Sequence, residues 1–353
     1  MKCLINNVTI QSIATFLPTN IMEMNSLKDS FGEKNVKMIM NATGVNRVHV
    51  ANEDQTASDM CFNAAKYLID KEKISKDDID GLVFVSQTAD YRAPVSSIIL
   101  QDRLGLSKEL VCFDIPYGCS GYIYGIFQAA SLIGSGACEK VLVLAGDTTT
   151  QLINSKDRAQ KMVFGDCGSA TMVCKGIGQL GFHIGSDGSE YDKVIIPAGG
   201  YRNRSSELTR KEYEDLDGNI RTQENLYMDG TSVFNFIIKR GQQSIKTILQ
   251  YMNWEKDNVN LFAMHQATRF TLSFLRKRLK IDKDKLPINI ANYGNTGPTT
   301  IPLLLTDLFN SDEKNDNMKF DKVIMCAYGI GLSWGSIACN LSETRIYKPI
   351  NKI

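Results

Sequence analysis

A cysteine in a glycine-rich turn is the first candidate nucleophile of this 353-residue sequence. Cys119 follows an apolar strand predicted over 110–113 and a Pro/Gly turn, and it is predicted to open a long, nearly uncharged helix. A cysteine at a helix N-terminus faces unpaired backbone N–H groups and the positive end of the helix dipole. Both favour the thiolate, so we expect the pKa of Cys119 to lie below the usual value of about 8.5. A buried structural cysteine is the alternative, but the flanking Gly118 and Gly121 would let a reactant approach closely.

A histidine and an asparagine occupy comparable turns in the second half of the chain. His265 ends the apolar run 261–264, and Asn295 lies between two glycines. Reactive side chains of open α/β sheets lie at the carboxyl ends of strands, and a carboxamide donates hydrogen bonds without titrating. Of the other two histidines, His49 is interpreted as a surface or structural residue and His183 as a core residue.

A thiolate, an imidazole and a carboxamide support two chemistries. In a Cys–His–Asn hydrolase, the histidine deprotonates the cysteine and the asparagine orients the histidine. In acyl transfer with carbon–carbon bond formation, the cysteine carries an acyl group while the other two stabilise the enolate of a second thioester. Order along the chain leaves both open.

Composition excludes several other classes. The net charge of +1 gives no global field for nucleic acid or an anionic membrane, so neither is an expected partner. The nine cysteines form no CxxC pair, so we expect no metal site, no disulfide framework and a cytoplasmic location. No window reaches about 18 consecutive apolar residues, as a membrane span requires.

The fold predicted from hydrophobic periodicity is α/β, with mostly parallel sheets covered on both faces. Apolar strands alternate with helices up to about residue 175, and the pattern restarts near 176. The chain is therefore divided into an N-terminal half, 1–175, which carries the cysteine, and a C-terminal half, 176–353. Helices are also expected over 23–41 and 231–252, and a short strand over 288–290.

Six motifs, in order, resemble the β-ketoacyl-acyl carrier protein synthase III family of thiolase-fold condensing enzymes. They are Cys119-Ser120-Gly121-Tyr122 with Tyr124-Gly125, Val163-Phe164-Gly165-Asp166 with Gly168-Ser169-Ala170, Pro197-Ala198-Gly199-Gly200 with Met228-Asp229-Gly230, His265-Gln266-Ala267, Tyr293-Gly294-Asn295-Thr296 with Ile301-Pro302, and Tyr328-Gly329-Ile330-Gly331-Leu332-Ser333-Trp334-Gly335. The resemblance implies two similar α/β halves packed as α-β-α-β-α layers, each a thiolase-like half.

The resemblance also implies a reaction, a decarboxylating Claisen condensation in fatty acid or related biosynthesis. Cys119 would take the acyl group of a coenzyme A or carrier-protein thioester. His265 and Asn295 would bind the thioester oxygen of malonyl-acyl carrier protein, and the backbone N–H groups of Cys119 and Ile330 would form the oxyanion hole. Phe164, Gly329 and Gly331 would line the acyl pocket. The family implies a homodimer without a bound cofactor.

The chain departs from the family where the primer binds. Met38 and Ala42 stand where several members have a coenzyme-stacking tryptophan and an arginine, whereas Arg158 matches a second coenzyme A-binding arginine. Ala93 stands where a phenylalanine often closes the acyl pocket across the dimer. We therefore expect weaker coenzyme A binding and tolerance of a primer longer or bulkier than acetyl.

Arg269, Arg276 and Lys280 are spaced by 7 and 4, which would place them on one helix face. Acyl carrier proteins are acidic, so this stripe is a candidate docking surface; a solvated helix face is the alternative.

Competing interpretations each lack a feature. A thiolase needs a Gly-His-Pro motif and a second catalytic cysteine, but Cys326 lies three residues before Gly329. Hydroxymethylglutaryl-coenzyme A synthase needs a glutamate base near 86–88. Acyl transfer to an alcohol or amine and thioester hydrolysis remain alternatives, and a non-catalytic partner subunit is disfavoured by the complete reactive set.

Overall fold

The computed structural model describes residues 1–309 and 320–352. Its strands are Lys2–Phe16 (β1), Asn20–Glu23 (β2), Arg47–Val50 (β3), Gly81–Val85 (β4), Val111–Ile115 (β5), Lys140–Asp147 (β6), Cys167–Ser186 (β7), Val194–Ile195 (β8), Tyr213–Glu214 (β9), Ile220–Arg221 (β10), Tyr227–Met228 (β11), Leu261–Met264 (β12), Val323–Gly329 (β13), Ser333–Cys339 (β14) and Arg345–Ile346 (β15).

The α-helices of the same residues are Lys28–Phe31 (α1), Glu33–Thr43 (α2), Ala57–Glu72 (α3), Ser96–Leu104 (α4), Gly121–Gly134 (α5), Arg158–Lys161 (α6), Gly230–Met252 (α7), Arg269–Leu279 (α8), Ile290–Tyr293 (α9) and Thr300–Leu308 (α10). None of these helices is long and apolar enough to cross a bilayer.

The central sheet is mixed rather than mostly parallel. Across the described residues it has the order β12-β13-β14-β7-β6-β4-β5, and β1 pairs with both β7 and β15. The pairs β4–β5, β4–β6 and β12–β13 are parallel, but β6–β7, β7–β14 and β13–β14 are antiparallel. Only three residues join β13 to β14, and a connection that short permits only antiparallel pairing.

Helices cover the sheet in the expected layers. The apolar α5 and α10 form a central layer that contacts strands of both halves of the chain. On one outer side α3 and α4 pack on β4, β6 and β7; on the other, α7 and α8 pack on β12, β13 and β14. The α/β class is confirmed.

One strand crosses the predicted junction between the halves. The long strand β7 pairs with β6 over 167–174 and with β14 over 181–186, so it runs unbroken through residues 175 and 176. The division at 175 remains a prediction.

Two local predictions are wrong. The helix expected over 23–41 is interrupted at Gly32, whose φ of 81° is left-handed, so that α1 and α2 are separate. The strand expected over 288–290 is absent from the described residues, because Ile290 instead starts the single-turn helix α9.

Candidate active site

Three turns bring the predicted catalytic side chains to one cavity. Cys119 lies between β5 and α5, His265 directly follows β12, and Asn295 lies between α9 and α10. All three line a cavity of about 510 Å³, which is within the usual range for a small-molecule site. Its lining also includes four residues expected at the acyl pocket or oxyanion hole: Phe164, Gly329, Ile330 and Gly331.

Much of the cavity wall is apolar and comes from outside the central sheet. Strands β8 and β11 form a separate two-stranded sheet. They and the segments next to them contribute Val194, Ile195, Leu226, Met228 and Val233 to the lining. An acyl chain would therefore lie against aliphatic side chains.

Cys119 does not open the helix, and its thiol is not acidic. Helix α5 begins at Gly121 with Ser120 as its N-cap, so Cys119 precedes the first helical turn. Burial raises the pKa of the Cys119 thiol to about 12, and the carboxylate of Asp147 adds to the effect. The amide of Asn295 and the N–H of Cys119 itself oppose it. The expected resting thiolate is wrong, since desolvation outweighs the helix end.

Asn295 is held so that its amide N–H₂ faces the thiol. Its side-chain oxygen accepts from the N–H of Gly297 at 3.0 Å, which leaves the nitrogen to hydrogen-bond Cys119. The Asn295 backbone is tied to the other half of the chain. Its N–H donates to Val163 at 2.8 Å, and its carbonyl accepts from Gly165 at 3.1 Å.

His265 is buried and neutral. Its backbone N–H donates to the carbonyl of Cys326 at 2.8 Å, and its Nδ1 lies 2.6 Å from Oγ1 of Thr300. The ring of Tyr328 packs edge-on against the imidazole, with the centroids 5.5 Å apart. Burial lowers the pKa of His265 to about 3. The imidazole therefore acts as an uncharged group at physiological pH.

The glycine turn that contains Gly329 lies directly against Cys119. Ser333 donates to the carbonyl of Ile330 at 2.7 Å and accepts from Ser120 at 2.7 Å, which ties the two turns together. Among the described residues, no other residue accepts from the backbone N–H of Cys119 or of Ile330. Both N–H groups are thus available to an oxyanion.

Asp147 is a site residue that our sequence reasoning missed. It lines the cavity, and its Oδ1 accepts from Ser86 Oγ at 2.9 Å and from the N–H of Gln87 at 2.7 Å, with Thr88 adding two longer bonds. Burial raises its pKa to about 7, against these hydrogen bonds. Asp147 ends the apolar strand β6. His265 was selected because reactive side chains lie at the carboxyl ends of strands, and the same rule would have selected Asp147.

Several predicted residues lie away from the cavity. Ala93 is exposed, and Arg158 bonds the carbonyl of Asp217 instead of lining the cavity. Met38 is 59% exposed, on α2. Their predicted roles with coenzyme A and the primer stay predictions.

The predicted docking stripe is interrupted at both ends. Arg269 donates to the carbonyl of Asn41 at 3.1 Å, and Lys280 lies just beyond the end of α8 with a left-handed φ of 52°. Of the three, only the half-buried Arg276 lies within α8 with a side chain that makes no hydrogen bond or ion pair to another described residue.

Comparison with known proteins shows which family this chain is similar to. Residues 113–188 match the family model for 3-oxoacyl-[acyl-carrier-protein] synthase III, and residues 249–341 match the model for its C-terminal part. A putative 3-oxoacyl-[acyl-carrier-protein] synthase 3 from Campylobacter jejuni is 32% identical over 97% of this chain and 96% of its own. The β-ketoacyl-[acyl-carrier-protein] synthase III of Caldanaerobacter subterraneus is 30% identical over 95% of this chain and 98% of its own.

A solved structure shows the same architecture. The 3-oxoacyl-(acyl-carrier protein) synthase from Burkholderia xenovorans LB400 superposes with a TM-score of 0.91 at 31% identity, covering 100% of this chain and 99% of its own. Fold and site together define a thiolase-like condensing enzyme, an acyltransferase. The chain belongs to the 3-oxoacyl-[acyl-carrier-protein] synthase III family.

Proposed function

We propose that this enzyme condenses an acyl primer with the malonyl group of malonyl-acyl carrier protein, in fatty acid or related biosynthesis. The observation that carries the proposal is the meeting of Cys119, His265 and Asn295 on one cavity, with the Asn295 amide hydrogen-bonded to the thiol. The site contains a nucleophile and two neutral N–H donors, as acyl transfer followed by enolate formation requires.

In the first half-reaction the thiol of Cys119 attacks the carbonyl carbon of an acyl thioester. The new carbon–sulfur bond forms as the old one breaks, and the thiol proton leaves with the departing thiol. The oxygen becomes negative in the intermediate, where the N–H groups of Cys119 and Ile330, which donate to no other described residue, would bind it. One such donor is typically worth about 2.7–4 kcal/mol.

In the second half-reaction the malonyl thioester loses CO₂. His265 and Asn295 donate hydrogen bonds to its thioester oxygen, which carries the charge of the enolate. The enolate carbon attacks the acyl group on Cys119, the carbon–sulfur bond breaks, and the released thiolate takes up one proton. A high thiol pKa assists this last step, since it makes protonation favourable.

The carrier protein would dock on the exposed face of α8. Phe270 and Phe274 are 60% and 37% exposed, and both rings contact Phe234, which lines the cavity. The basic Lys277 and Arg278 follow Phe274 by three and four residues, which places them on the same helix face. An acidic partner with an apolar patch fits this surface next to the cavity.

A homodimer would form through β5. This strand is an edge of the central sheet, and its Val111 and Phe113 are 39% and 40% exposed. An open strand edge with apolar side chains favours pairing with a second copy. The loop that contains Ala93 lies between β4 and β5, so the dimer would bring it near the partner's site.

Intact-protein mass spectrometry tests the proposed reaction. The enzyme is exposed to a panel of acyl thioesters carried by coenzyme A or carrier protein, and malonyl-acyl carrier protein is then added. We expect an acyl adduct on Cys119, followed by release of CO₂ and a β-ketoacyl product. Cys119→Ala should form no adduct, and Cys112→Ala is a matched control because this half-buried thiol does not line the cavity.

Three outcomes would replace the proposal. Free acid without CO₂ would establish a thioester hydrolase, and an ester or amide product would establish transfer to an alcohol or amine. If no thioester of the panel gave an acyl adduct, catalysis through Cys119 would be ruled out.

A further inference from the structure

The imidazole of His265 has one hydrogen-bonding partner among the described residues, the hydroxyl of Thr300. Oγ1 of Thr300 lies 2.6 Å from Nδ1, and both residues are 2% exposed. The other ring nitrogen, Nε2, has no described partner, and His265 lines the cavity. Because the imidazole is neutral, one proton is shared between these two positions, and its place decides whether the ring donates to the cavity or accepts from it.

Thr300 has a single hydroxyl proton and two possible acceptors for it. One is Nδ1 of His265 at 2.6 Å, and the other is the carbonyl of Gly297 at 3.3 Å. An N–H group that donates to an oxygen usually lies at about 2.9–3.0 Å from it, which is longer than the 2.6 Å between Nδ1 and Oγ1 of Thr300. The short contact to the ring and the long contact to the carbonyl both favour donation from Thr300 to Nδ1.

We propose that Thr300 is a positioning residue that fixes His265 in the Nε2–H tautomer, so that the ring donates a hydrogen bond into the cavity. If Nδ1 accepts the Thr300 proton, the only ring proton is on Nε2. His265 then resembles Asn295, whose amide N–H₂ also faces the cavity because its oxygen is occupied by Gly297. Two N–H donors thus converge where an enolate oxygen would form. The inference rests on the proposed function.

The opposite tautomer would be unproductive. With the proton on Nδ1, the lone pair of Nε2 would face the thioester oxygen and repel it, and Thr300 would have to donate to Gly297. Thr300 is the first residue of α10 and lies just after the turn that contains Asn295. The same short segment therefore orients both proposed donors, His265 and Asn295.

Two variants separate the hydroxyl from the shape of the side chain. Thr300→Ser keeps the hydroxyl, and Thr300→Val keeps the volume but removes it. For Thr300→Val we expect a loss of about 100-fold in CO₂ release from malonyl-acyl carrier protein, comparable to the loss of one oxyanion donor. Acylation of Cys119 should change by less than about threefold, since it does not use this donor. Thr300→Ser should recover most of the CO₂ release.

Nitrogen-15 NMR of histidine-labelled protein measures the tautomer without turnover, with His265→Gln assigning the signals. In the wild type we expect a protonated Nε2 and an unprotonated Nδ1, and in Thr300→Val a mixture. A wild type with the proton on Nδ1 would overturn the proposal, as would full CO₂ release by Thr300→Val. Equal losses in both half-reactions without rescue by serine would indicate a purely structural role and would also overturn it.

Failure of the proposed function would look different. A wild type that acylates Cys119 but releases no CO₂ contradicts the condensation, whereas the NMR signals still decide whether Thr300 sets the tautomer.

Discussion

The backbone of Gly329 lies against the side chain of Cys119, so closely that a Cβ at position 329 would be 2.7 Å from the Cβ of the cysteine. It would also be 3.2 Å from the N–H of Ser120, at the start of α5. Real Cβ atoms essentially never lie within 3.0 Å of another non-bonded heavy atom, so Cys119 and the glycine turn are fitted to each other. This contact joins the two parts of the chain that would form the oxyanion hole.

Gly329→Ala should therefore impair acylation while the protein stays folded. The methyl group must displace either Cys119 or the turn that contains Ile330, and a misplacement of about 1 Å can cost about 100-fold in rate. Stopped-flow measurement of Cys119 acylation checks this. Gly200→Ala is the matched control, because a Cβ at that position meets no atom of the described part of the chain within 4 Å. Wild-type acylation by Gly329→Ala would contradict the fitted contact.

Asp147→Asn should make Cys119 more reactive toward an alkylating agent. The negative charge of Asp147 raises the pKa of the thiol, so removing it lowers that pKa and increases the thiolate fraction. At about pH 8.5 we expect alkylation to be about three- to tenfold faster, equivalent to about half a pKa unit to one unit.

The pH dependence of alkylation checks the direction of this electrostatic effect. The pKa of Asp147 is raised to about 7, so the carboxylate is charged above that pH and protonated below it. The difference between wild type and Asp147→Asn should therefore disappear on acidification to about pH 5.5. Asp166→Asn is the control, since that buried carboxylate also has a raised pKa but does not line the cavity. A constant difference at all pH values would contradict the electrostatic explanation.

His265 should not titrate in the physiological range. Burial lowers its pKa to about 3, below the usual value near 6.5, so the ring stays uncharged on acidification until well below pH 5. Proton NMR of the ring C–H signals between about pH 5 and 8 measures this, with His265→Gln assigning the signal. A midpoint near 6.5 for that signal would show that the imidazole is hydrated rather than buried.

Charge reversal at Arg276 and Lys280 should weaken binding of the carrier protein. We expect the KM for malonyl-acyl carrier protein to rise by about tenfold, because rim charges mainly affect association, and to rise less at high salt. Acylation of Cys119 by a small thioester should not change. Lys108→Glu, a reversal at an exposed lysine in the α4–β5 connection, serves as control. An equal rise in KM with the control would show a general charge effect.

Ala93→Phe should shorten the longest primer that the enzyme accepts, provided that the dimer forms through β5. Ala93 is exposed and does not line the cavity of its own chain, so the effect requires a partner subunit. Acylation rates over a series of chain lengths measure it. Phe113→Lys, at the exposed edge of β5, should give a monomer by light scattering and abolish the effect of Ala93→Phe. Unchanged chain-length preference in the dimer would contradict this role for residue 93.

The three candidate residues that meet on the cavity could be selected from the sequence because each one directly follows a recognisable apolar strand or glycine turn. The layers were predictable for the same reason, since buried strands and amphipathic helices have distinct periods. The relative direction of the strands could not be predicted, because it depends on how three-residue turns such as 330–332 reverse the chain.

The acidity of Cys119 was mispredicted for a physical reason that sequence does not show. A helix end lowers a thiol pKa and burial raises it, and only the packed structure shows which effect is larger. The role of Asp147 depended on contacts with residues 86–88, about 60 positions away in the chain, and the partner of His265 depended on how α10 is placed. Long-range contacts of this kind leave no local pattern.

Among the described residues, the small sheet formed by β8 and β11 shares no strand pairing with the central sheet, whose strand ends carry Cys119 and His265. Different segments of the chain therefore carry the side chains that would contact the primer and the side chains that would carry out the reaction. Substitutions at Ile195, Leu226 or Met228 could change the range of accepted primers while the reaction steps are left intact. The range of products could therefore change during evolution while the catalytic residues stay the same. Exchanging the segment 194–228 between relatives would be a direct way to transfer primer preference.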